Sequence, residues 1–372
     1  MQLTIDKPSL TKALAHVASV VERRNTIPIL SNVHLAADKN ELKLTSTDLD
    51  MEIVETVACR SKGSGSTTVP AHMLHDIVRK LPDGVDIELV RDGDQGRLVI
   101  SCGQARFSLQ TLPSDDFPSL SVDDLGHSFQ LTPADLKRLI DKTRFAISTE
   151  ETRYYLNGIY LHAAASDGKP TLRAVATDGH RLAQAELPLP QGAKDMPGVI
   201  VPRKTVSELV KLVEGGDEEV RIELSPSKIR VSTARVVLTS KLIDGTFPDY
   251  ERVIPQGNDK KMEVDNHTFA EAVDRVSTLS SDKGRAVKLS IGDGRLTLSV
   301  NNPDSGSANE EIPVEYGSDP LEIGFNARYL LDISGQLESG TAEFSLADPG
   351  SPTLIRDGAD VSSLYVLMPM RV

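Results

Sequence analysis

The sequence predicts an α+β protein that contains three copies of one domain, and two sets of repeated segments support this prediction. Each segment of the first set has the pattern of a short strand and an amphipathic helix, at 3–21, 129–147 and 262–280. The second set follows the first, at 69–90 and 201–224 with a weaker match at 325–346. Corresponding landmarks are roughly 125–130 residues apart, the length of a domain rather than of a solenoid unit. We expect two helices and about eight antiparallel strands in each copy.

The first helix of each copy is predicted from its start signal and its spacing. In the second copy, Thr132 is a typical N-cap residue and Pro133 takes the first helical position. Side chains suited to a buried face then recur at steps of three and four residues, at Leu136, Leu139, Ile140 and Thr143. We expect helices over 133–147, 72–81 and 202–214.

Between the helices, apolar and polar residues alternate on either side of turn signals, which is typical of antiparallel hairpins. The segments 41–58 and 171–188 have this pattern, and Asp178-Gly179 supplies a tight turn in the second. Interruptions by Asp, Gly, Pro and Lys near 123–128 and 254–261 separate the copies. We predict three domains, at 1–125, 126–257 and 258–372.

The composition indicates a cytoplasmic, acidic protein. The 372 residues carry a formal net charge of -13, which repels phosphate and argues against nucleic acid as a partner unless basic residues are concentrated on one surface. Cys59 and Cys102 are too few for a disulfide framework, and we expect both to be buried thiols. The sequence has no apolar signal segment and no run of about 18 apolar residues, so we expect no membrane partner.

Motifs for nucleotide, metal and nucleophile chemistry are missing from the sequence. It contains no GxxxxGK[ST], GxGxxG, HExxH, CxxC or GxSxG, so we predict no cofactor and no metal. Asp48, Asp50 and Glu52 resemble a calcium loop, but Ile53 stands where such a loop needs glycine, and a solvated strand face is the better interpretation. A hydrolase that uses His180 is the enzyme alternative, although no nucleophile accompanies this histidine.

Basic residues are concentrated in the predicted helices. Helix 133–147 carries four of them against two acidic residues, at Lys137, Arg138, Lys142 and Arg144. Solvation of helix surfaces is the simpler explanation for such residues. The repeat favours another one: three similar domains per chain, doubled by a twofold dimer, would close a six-domain ring with basic helices inside.

Several strings in the sequence resemble one family from end to end. They are TIPIL at 26–30, TDLDMEI at 47–53, RFSLQTLP at 106–113, RYYLNG at 153–158, ATDGHRLA at 176–183, FPDY at 247–250 and VLMPMRV at 366–372. The chain resembles the beta subunits of bacterial DNA polymerase III, the sliding-clamp family. The resemblance implies three DNA-clamp domains, a head-to-tail dimeric ring around double-stranded DNA, and no catalytic activity. It further implies a clamp loader and replicative and repair polymerases as partners.

The resemblance also implies three sets of site residues. The partner-peptide pocket corresponds to Arg153, Leu156, Thr177, Gly179, His180, Arg181, Leu182, Pro248, Arg252, Val253, Leu367, Met368, Pro369, Met370 and Arg371. In it, Met and Leu would accept apolar anchors and the arginines would orient a short peptide. The DNA contacts correspond to Arg24, Tyr154 and Tyr155. The dimer contact corresponds to Phe107 and Leu109 of the first domain with Thr278 and Leu279 of the third.

Three departures from the family pattern alter these expectations. His72 stands in place of an arginine and Glu150 in place of a glutamine, so we expect direct contact with DNA to be weaker or to be redistributed to other basic residues. Thr278 replaces an apolar residue, which predicts a more polar dimer contact. A ring-forming scaffold for another polymer is the remaining alternative.

Overall fold

The computed structural model describes residues 1–92, 96–121, 125–280 and 286–372. Within these ranges the chain forms six α-helices and 26 strands. The predicted α+β class with antiparallel sheets is confirmed.

The first copy of the repeat consists of helices α1 (Lys7–Val20) and α2 (Ala71–Lys80) and strands β1 (Gln2–Ile5), β2 (Asn32–Asp38), β3 (Glu41–Thr47), β4 (Met51–Ala58), β5 (Arg60–Ser61), β6 (Gly65–Pro70), β7 (Ile87–Asp92), β8 (Arg97–Cys102) and β9 (Ala105–Gln110). The second consists of α3 (Pro133–Arg144), α4 (Arg203–Val213), β10 (His127–Leu131), β11 (Gly158–Ser166), β12 (Lys169–Thr177), β13 (Arg181–Pro188), β14 (Val199–Pro202), β15 (Val220–Leu224), β16 (Lys228–Ser232) and β17 (Val236–Lys241). The third consists of α5 (Asn266–Ser277), α6 (Ala327–Ser334), β18 (Lys260–Asp265), β19 (Ala286–Gly292), β20 (Arg295–Asn302), β21 (Gly306–Pro313), β22 (Glu315–Tyr316), β23 (Leu321–Asn326), β24 (Thr341–Leu346), β25 (Thr353–Asp357) and β26 (Ser363–Leu367). Short 3₁₀ helices lie at Pro28–Ser31, Ser114–Asp116, Glu151–Leu156 and Tyr250–Val253.

The chain divides into two compact units. The first comprises Met1–Lys137, Pro190–Pro197 and Lys204–Leu242. It contains a five-stranded sheet in the order β5-β1-β7-β8-β9 and an eight-stranded sheet in the order β10-β15-β16-β17-β4-β3-β2-β6. The second unit comprises Arg138–Leu189, Gly198–Arg203 and Ile243–Val372. Its sheets run β14-β11-β12-β13-β26-β25-β24-β18-β22 and β21-β20-β19-β23.

Each long sheet joins two copies of the repeat through one antiparallel strand pair. In the first unit β17 pairs with β4, with Leu238 opposite Ile53. In the second unit β26 pairs with β13, with Tyr365 opposite Ala183. The last strand of one copy therefore always meets the second strand of a hairpin in the copy before it. Because each sheet continues across such a joint, the two compact units divide the middle copy.

Side-chain caps start the first helix of each copy, as the sequence predicts for α3. The backbone N–H of Asp135 donates to Thr132 Oγ1 at 3.1 Å. Asp6 caps α1 and Asp265 caps α5 in the same way, at 2.9 and 2.8 Å. The four side chains at helical spacing in α3 are all buried: Leu136, Leu139, Ile140 and Thr143. Helix α3 ends at Arg144, three residues earlier than predicted.

Both predicted hairpins form, and their turns are built alike. In the first, Asp48 Oδ1 accepts the backbone N–H groups of Asp50 and Met51 at 3.0 and 2.7 Å. Leu49 lies between them with a φ of 76°, a conformation that favours glycine. The expectation that Asp48 and Asp50 alternate on a strand is therefore wrong, since only Glu52 lies in β4. Across the described ranges, no group of three or more His, Cys, Asp and Glu side chains could hold a metal ion.

The two cysteines are buried free thiols, as predicted. Among the residues that the structure describes, no helix is both long and apolar enough to cross a membrane.

The buried carboxylate of Asp357 organises the turn that follows α6. Its Oδ2 accepts the backbone N–H groups of Glu338 and Ser339 at 2.5 and 3.0 Å, and its Oδ1 accepts that of Ala359 at 3.0 Å. Burial alone would raise the pKa of Asp357, but these hydrogen bonds outweigh burial and lower the pKa to about 2. The ionised carboxylate therefore stabilises the fold.

Replacing this residue (Asp357→Asn) should lower the urea midpoint of unfolding at about pH 7. An aspartate in an unfolded chain titrates near about pH 4. The stabilisation is fully present above that pH and is lost as the pH falls toward about 2, because the unfolded state then binds the proton more readily. The difference in urea midpoint between wild type and Asp357→Asn should become smaller from about pH 5 to about pH 3. A difference that stays constant with pH would contradict this account. The same pH-dependent difference in the exposed-site variant Asp319→Asn would also contradict it.

Candidate functional site

The predicted partner pocket lies on an apolar cluster of the second unit. Leu156 and Leu182 are buried in this cluster together with Phe247, Tyr250 and Val366. Leu367 is completely buried as well, so it supports the site from below. These residues form the floor of the candidate pocket rather than its accessible surface.

The accessible rim consists of side chains from three segments that surround this floor. Exposed residues on it include Tyr154, Pro248, Val253, Met368 and Arg371. The last segment is held by its backbone, since Met368 N–H donates to His180 O at 2.9 Å and Met370 N–H donates to Gly324 O at 2.8 Å. Pro369 and Met370 are half-buried. The chain thus presents a methionine beside exposed proline and valine, a surface that adapts to apolar ligands.

The turn 177–181 is rigid and repeats the geometry of the turn at Asp48. Thr177 Oγ1 accepts the N–H of Gly179 at 3.1 Å, and Asp178 Oδ1 accepts those of His180 and Arg181 at 2.9 and 3.0 Å. His180 is exposed, and no described side chain hydrogen-bonds its ring. General-base catalysis requires a hydrogen-bonded nucleophile, so this geometry does not support the hydrolase alternative.

Arg181 is a structural residue, which differs from the expectation that it orients a peptide. Its side chain is only 8 % exposed. The guanidinium bonds Asp178 and Asp332 at 3.1 and 2.5 Å, donates to Phe145 O at 2.7 Å, and stacks 4.1 Å from the centre of the Tyr329 ring. Each of its three guanidinium nitrogens has a partner within the chain. The arginine therefore joins β13 to α6 and to the residue that follows α3.

Two other arginines remain accessible at the rim. Arg252 is 83 % exposed and pairs with Asp249 at 2.6 Å. Arg153 bonds Glu150 through Nε and Nη2 at 2.9 and 2.8 Å, and this hydrogen bonding raises the pKa of Arg153. Exposed pairs of this kind are weak, so an acidic ligand group can displace the internal partner.

Gly179 provides the space in which the Arg153 side chain lies. A Cβ atom at position 179 would stand 2.5 Å from Arg153 Nη1, and Gly179 has a φ of 88°. The positive φ favours glycine, and a Cβ atom would push the end of the Arg153 side chain out of its position.

A layer of side chains packs against Phe247 and Tyr250 of the segment 247–253, and the sequence did not predict it. Tyr160 stacks on Phe247 with ring centres 4.8 Å apart and planes 5° apart. His162 and Arg173 both contact the hydroxyl of Tyr250, at 3.0 and 2.8 Å. Tyr160 and His162 are two residues apart on β11, the spacing of side chains on one strand face, which is the signal that could have linked them.

The predicted DNA contacts lie at the surface of their units. Arg24 is exposed in the loop after α1, in the first unit, and Tyr154 is exposed in the second. Tyr155 is half-buried and meets Tyr154 edge to face at 5.8 Å. The two departures from the family pattern have internal partners: His72 Nε2 lies 2.8 Å from Val21 O, and Glu150 is paired with Arg153.

The predicted dimer residues differ in accessibility. Phe107 is 38 % exposed on β9, whereas Leu109 is only 7 % exposed and already belongs to the core of its unit. Thr278 is exposed and Leu279 half-buried just after α5. Within the described ranges, β9 and β21 are each paired on one side only.

Comparison with known proteins gives a consistent result along the chain. The family described as the DNA polymerase III beta subunit matches with its N-terminal domain at residues 1–121, its central domain at 130–249 and its C-terminal domain at 251–371. The beta sliding clamp of Caulobacter vibrioides is 56 % identical over 372 residues, with both chains fully covered. That of Escherichia coli K12 is 40 % identical over 373 residues, again with both fully covered.

Solved structures agree with this result. A DnaN sliding clamp from Bartonella birtlesii bound to griselimycin has a TM-score of 0.97 at 55 % identity, with both chains fully covered. A Caulobacter crescentus beta sliding clamp with PEG bound to a putative beta-motif tethering region also has a TM-score of 0.97 at 55 % identity, with 100 % of this chain and 99 % of that chain covered. The chain belongs to the DNA polymerase III beta subunit family, the beta sliding clamps.

Proposed function

We propose that the chain acts as a non-catalytic DNA sliding clamp, in which two copies close a ring around duplex DNA and tether replication and repair proteins to it. The observation that carries this proposal is the unpaired edge at each end of the threefold repeat. Membership of the sliding-clamp family supports the same function. Ring closure explains how an acidic chain can stay on DNA, because a closed ring around the duplex does not require strong attraction to phosphate.

The joints within the chain supply the geometry of closure. In the repeat, β9, β17 and β26 are equivalent last strands, and β4, β13 and β21 are equivalent second strands of hairpins. Two of the three possible joints are made within the chain, β17 with β4 and β26 with β13. The third, β9 with β21, requires a second copy of the chain. Two copies related by a twofold axis make this joint twice, and the ring then contains six domains.

The register of the third joint follows from the other two. Phe107 is equivalent to Leu238 and Tyr365, which lie opposite Ile53 and Ala183. Their equivalent on β21 is Ala308, because Ile53, Ala183 and Ala308 pair with equivalent residues of the preceding strand. We therefore place Ala308 opposite Phe107, and pairing continues with Arg106 opposite Asn309. The seam between copies is therefore polar on the β21 side, as the replacement at Thr278 also suggests.

Partner proteins bind at the candidate pocket through short peptides. Apolar anchors would rest against Met368, Pro248 and Val253. The guanidinium groups of Arg153 and Arg252 would donate hydrogen bonds to acidic or carbonyl groups of the peptide. Arg24 and the Tyr154–Tyr155 pair would contact the DNA backbone without reading its sequence. Loading needs a separate ATP-driven opener, since the sequence has no phosphate-binding loop.

Retention on circular DNA tests the topological function. The protein is loaded onto nicked circular duplex by a clamp loader with ATP, and the bound fraction is followed by gel filtration before and after linearisation. We expect stable retention on the circle and rapid escape from the linear form. Retention that survives cutting, with free ends unblocked, would mean ordinary binding and would refute the ring mechanism. The loader is first shown to load a 56 % identical relative as a positive control.

A disulfide across the predicted seam tests ring closure. In the double variant Arg106→Cys/Asn309→Cys, directly opposed side chains of two copies lie close enough to oxidise, because cross-strand Cβ atoms are about 4.5–5.5 Å apart. We expect a covalent dimer on a non-reducing gel and a mass of two chains in solution. The control pair Arg97→Cys/Asn309→Cys should stay uncrosslinked, since Arg97 lies on the inner strand β8. Equal crosslinking of both pairs, or a mass of one chain at micromolar concentration, would contradict the seam.

A single methyl group tests the pocket. Gly179→Ala places a Cβ against Arg153 and should weaken griselimycin binding, measured by titration calorimetry, by about tenfold or more. Gly168→Ala is the matched control, because Gly168 has a similar positive φ of 75° on a turn of the same sheet but open space at its Cβ. Both variants should lose similar stability, and only Gly179→Ala should lose affinity. Equal affinities for the two variants would exclude the pocket as the binding site.

A further inference from the structure

A chain of hydrogen bonds lies directly behind one wall of the candidate pocket. That wall is the segment 247–253, which carries Pro248, Arg252 and Val253. Phe247 and Tyr250 are the buried residues of this segment, and the Tyr250 hydroxyl lies 2.8 Å from Arg173 Nη1 and 3.0 Å from His162 Nε2. We call Arg173, Tyr250 and His162 the relay.

All contacts of the relay are satisfied when His162 is neutral. Arg173 can only donate, so the oxygen of Tyr250 accepts from it. With His162 neutral, the hydroxyl proton of Tyr250 points to Nε2, which accepts it. Nδ1 of His162 lies 2.9 Å from the carbonyl oxygen of Ala163, which can only accept, and so Nδ1 carries the proton. In this neutral form both ring nitrogens of His162 are satisfied.

The surroundings of His162 favour this neutral form. Burial lowers the pKa of His162 and is the largest influence on it. The hydrogen bond to Ala163 opposes burial, the positive charge of Arg173 on β12 lowers the pKa further, and Glu251 raises it slightly. Tyr160 stacks on the imidazole at 4.5 Å from its own strand. Arg173 is itself held by Glu186 on β13 at 3.0 Å and by Glu251 at 2.9 Å. These are the titratable and charged groups that face the relay from the elements packed against it.

The relay fixes the wall at its middle. Phe247, at the start of the segment, is clamped against Tyr160, and Tyr250 is held three residues later by Arg173 and His162. In the sequence, Pro248 lies between the anchored residues Phe247 and Tyr250. Arg252 and Val253 belong to the 3₁₀ helix that begins at Tyr250. Protonation of His162 would turn its acceptor into a donor and leave the Tyr250 proton without its partner. The anchor at Tyr250 would then loosen.

We propose that His162 is a positioning residue for the peptide pocket: its neutral imidazole locks Tyr250, and protonation unlocks the wall that carries Pro248, Arg252 and Val253. The inference rests on the proposed function of this pocket. It adds a dependence of partner binding on pH to that function. Binding is strongest where His162 is neutral and weakens as the pH falls.

The test uses the full-length protein and griselimycin as the probe. His162→Phe keeps a ring stacked on Tyr160 but removes the acceptor, so the Tyr250 hydroxyl is left unsatisfied. We expect its Kd at about pH 7.5 to rise by about threefold to tenfold. The double variant His162→Phe/Tyr250→Phe removes both polar partners and should recover most of this loss. His267→Phe, at an exposed histidine of α5, is the control and should leave the Kd unchanged.

The pH profile separates the relay from a merely structural role. An ordinary histidine has a pKa of about 6.5, and the pKa of His162 is lower. His162 therefore becomes protonated as the pH falls from about 6.5 to about 5, and the Kd of the wild type for griselimycin should rise over this range. The Kd of His162→Phe should change little over the same range. Equal affinities of wild type and His162→Phe at every pH, or identical pH profiles, would overturn the proposal.

Hydrogen exchange tests the role of His162 without using griselimycin. Amides of residues 247–253 should exchange faster in His162→Phe than in wild type or His267→Phe, and unchanged exchange would also overturn the proposal. If wild type fails to bind griselimycin, the proposed pocket fails. The exchange data still decide whether His162 positions the wall.

Discussion

Backbone pairing between neighbouring copies is the constraint on which the rest of the structure depends. An antiparallel strand edge that stays unpaired exposes a row of donors and acceptors. Each copy of this repeat has two strands that can pair with a neighbouring copy, its last strand and the second strand of its hairpin. The chain pairs four of these six strands internally, β17 with β4 and β26 with β13. The same joints create the corner at which His180, Met368 and the buried leucines come together. The candidate pocket is thus a by-product of how one copy continues the sheet of the next.

Much of the fold could be predicted because its signals are local. Each signal spans only a few residues, as in the Thr132 cap, the spacing in α3 and the Asp178-Gly179 turn. Because the domain is repeated, similar signals occur in more than one copy. Pairing between copies is not local. Nothing near β17 indicates that it meets β4, so the sequence does not predict the two compact units in which the three copies are arranged.

The candidate site was predictable in its members but not in their roles. The family resemblance named Arg181, yet its partner Asp332 lies 151 residues away, so its burial could not be foreseen. The same limit applies to His162, whose importance comes from a hydroxyl 88 residues away. Leu49 shows the opposite error: a residue with strong apolar character occupies a turn position at a φ of 76°, where sequence patterns favour glycine. Long-range contacts decided the cases of Arg181 and His162, whereas the turn at Leu49 is held by local hydrogen bonds.

The pair of equivalent turns has a consequence for valency. Gly179 leaves room beside the joint between the second and third copies, whereas Leu49 puts a 39 % exposed side chain at the same place in the first joint. The two joints within one chain therefore differ at equivalent positions and do not give two equal docking sites. In the proposed ring of two chains, the proposed pocket beside Gly179 occurs twice, and the proposed function then allows one partner to stay bound while a second binds.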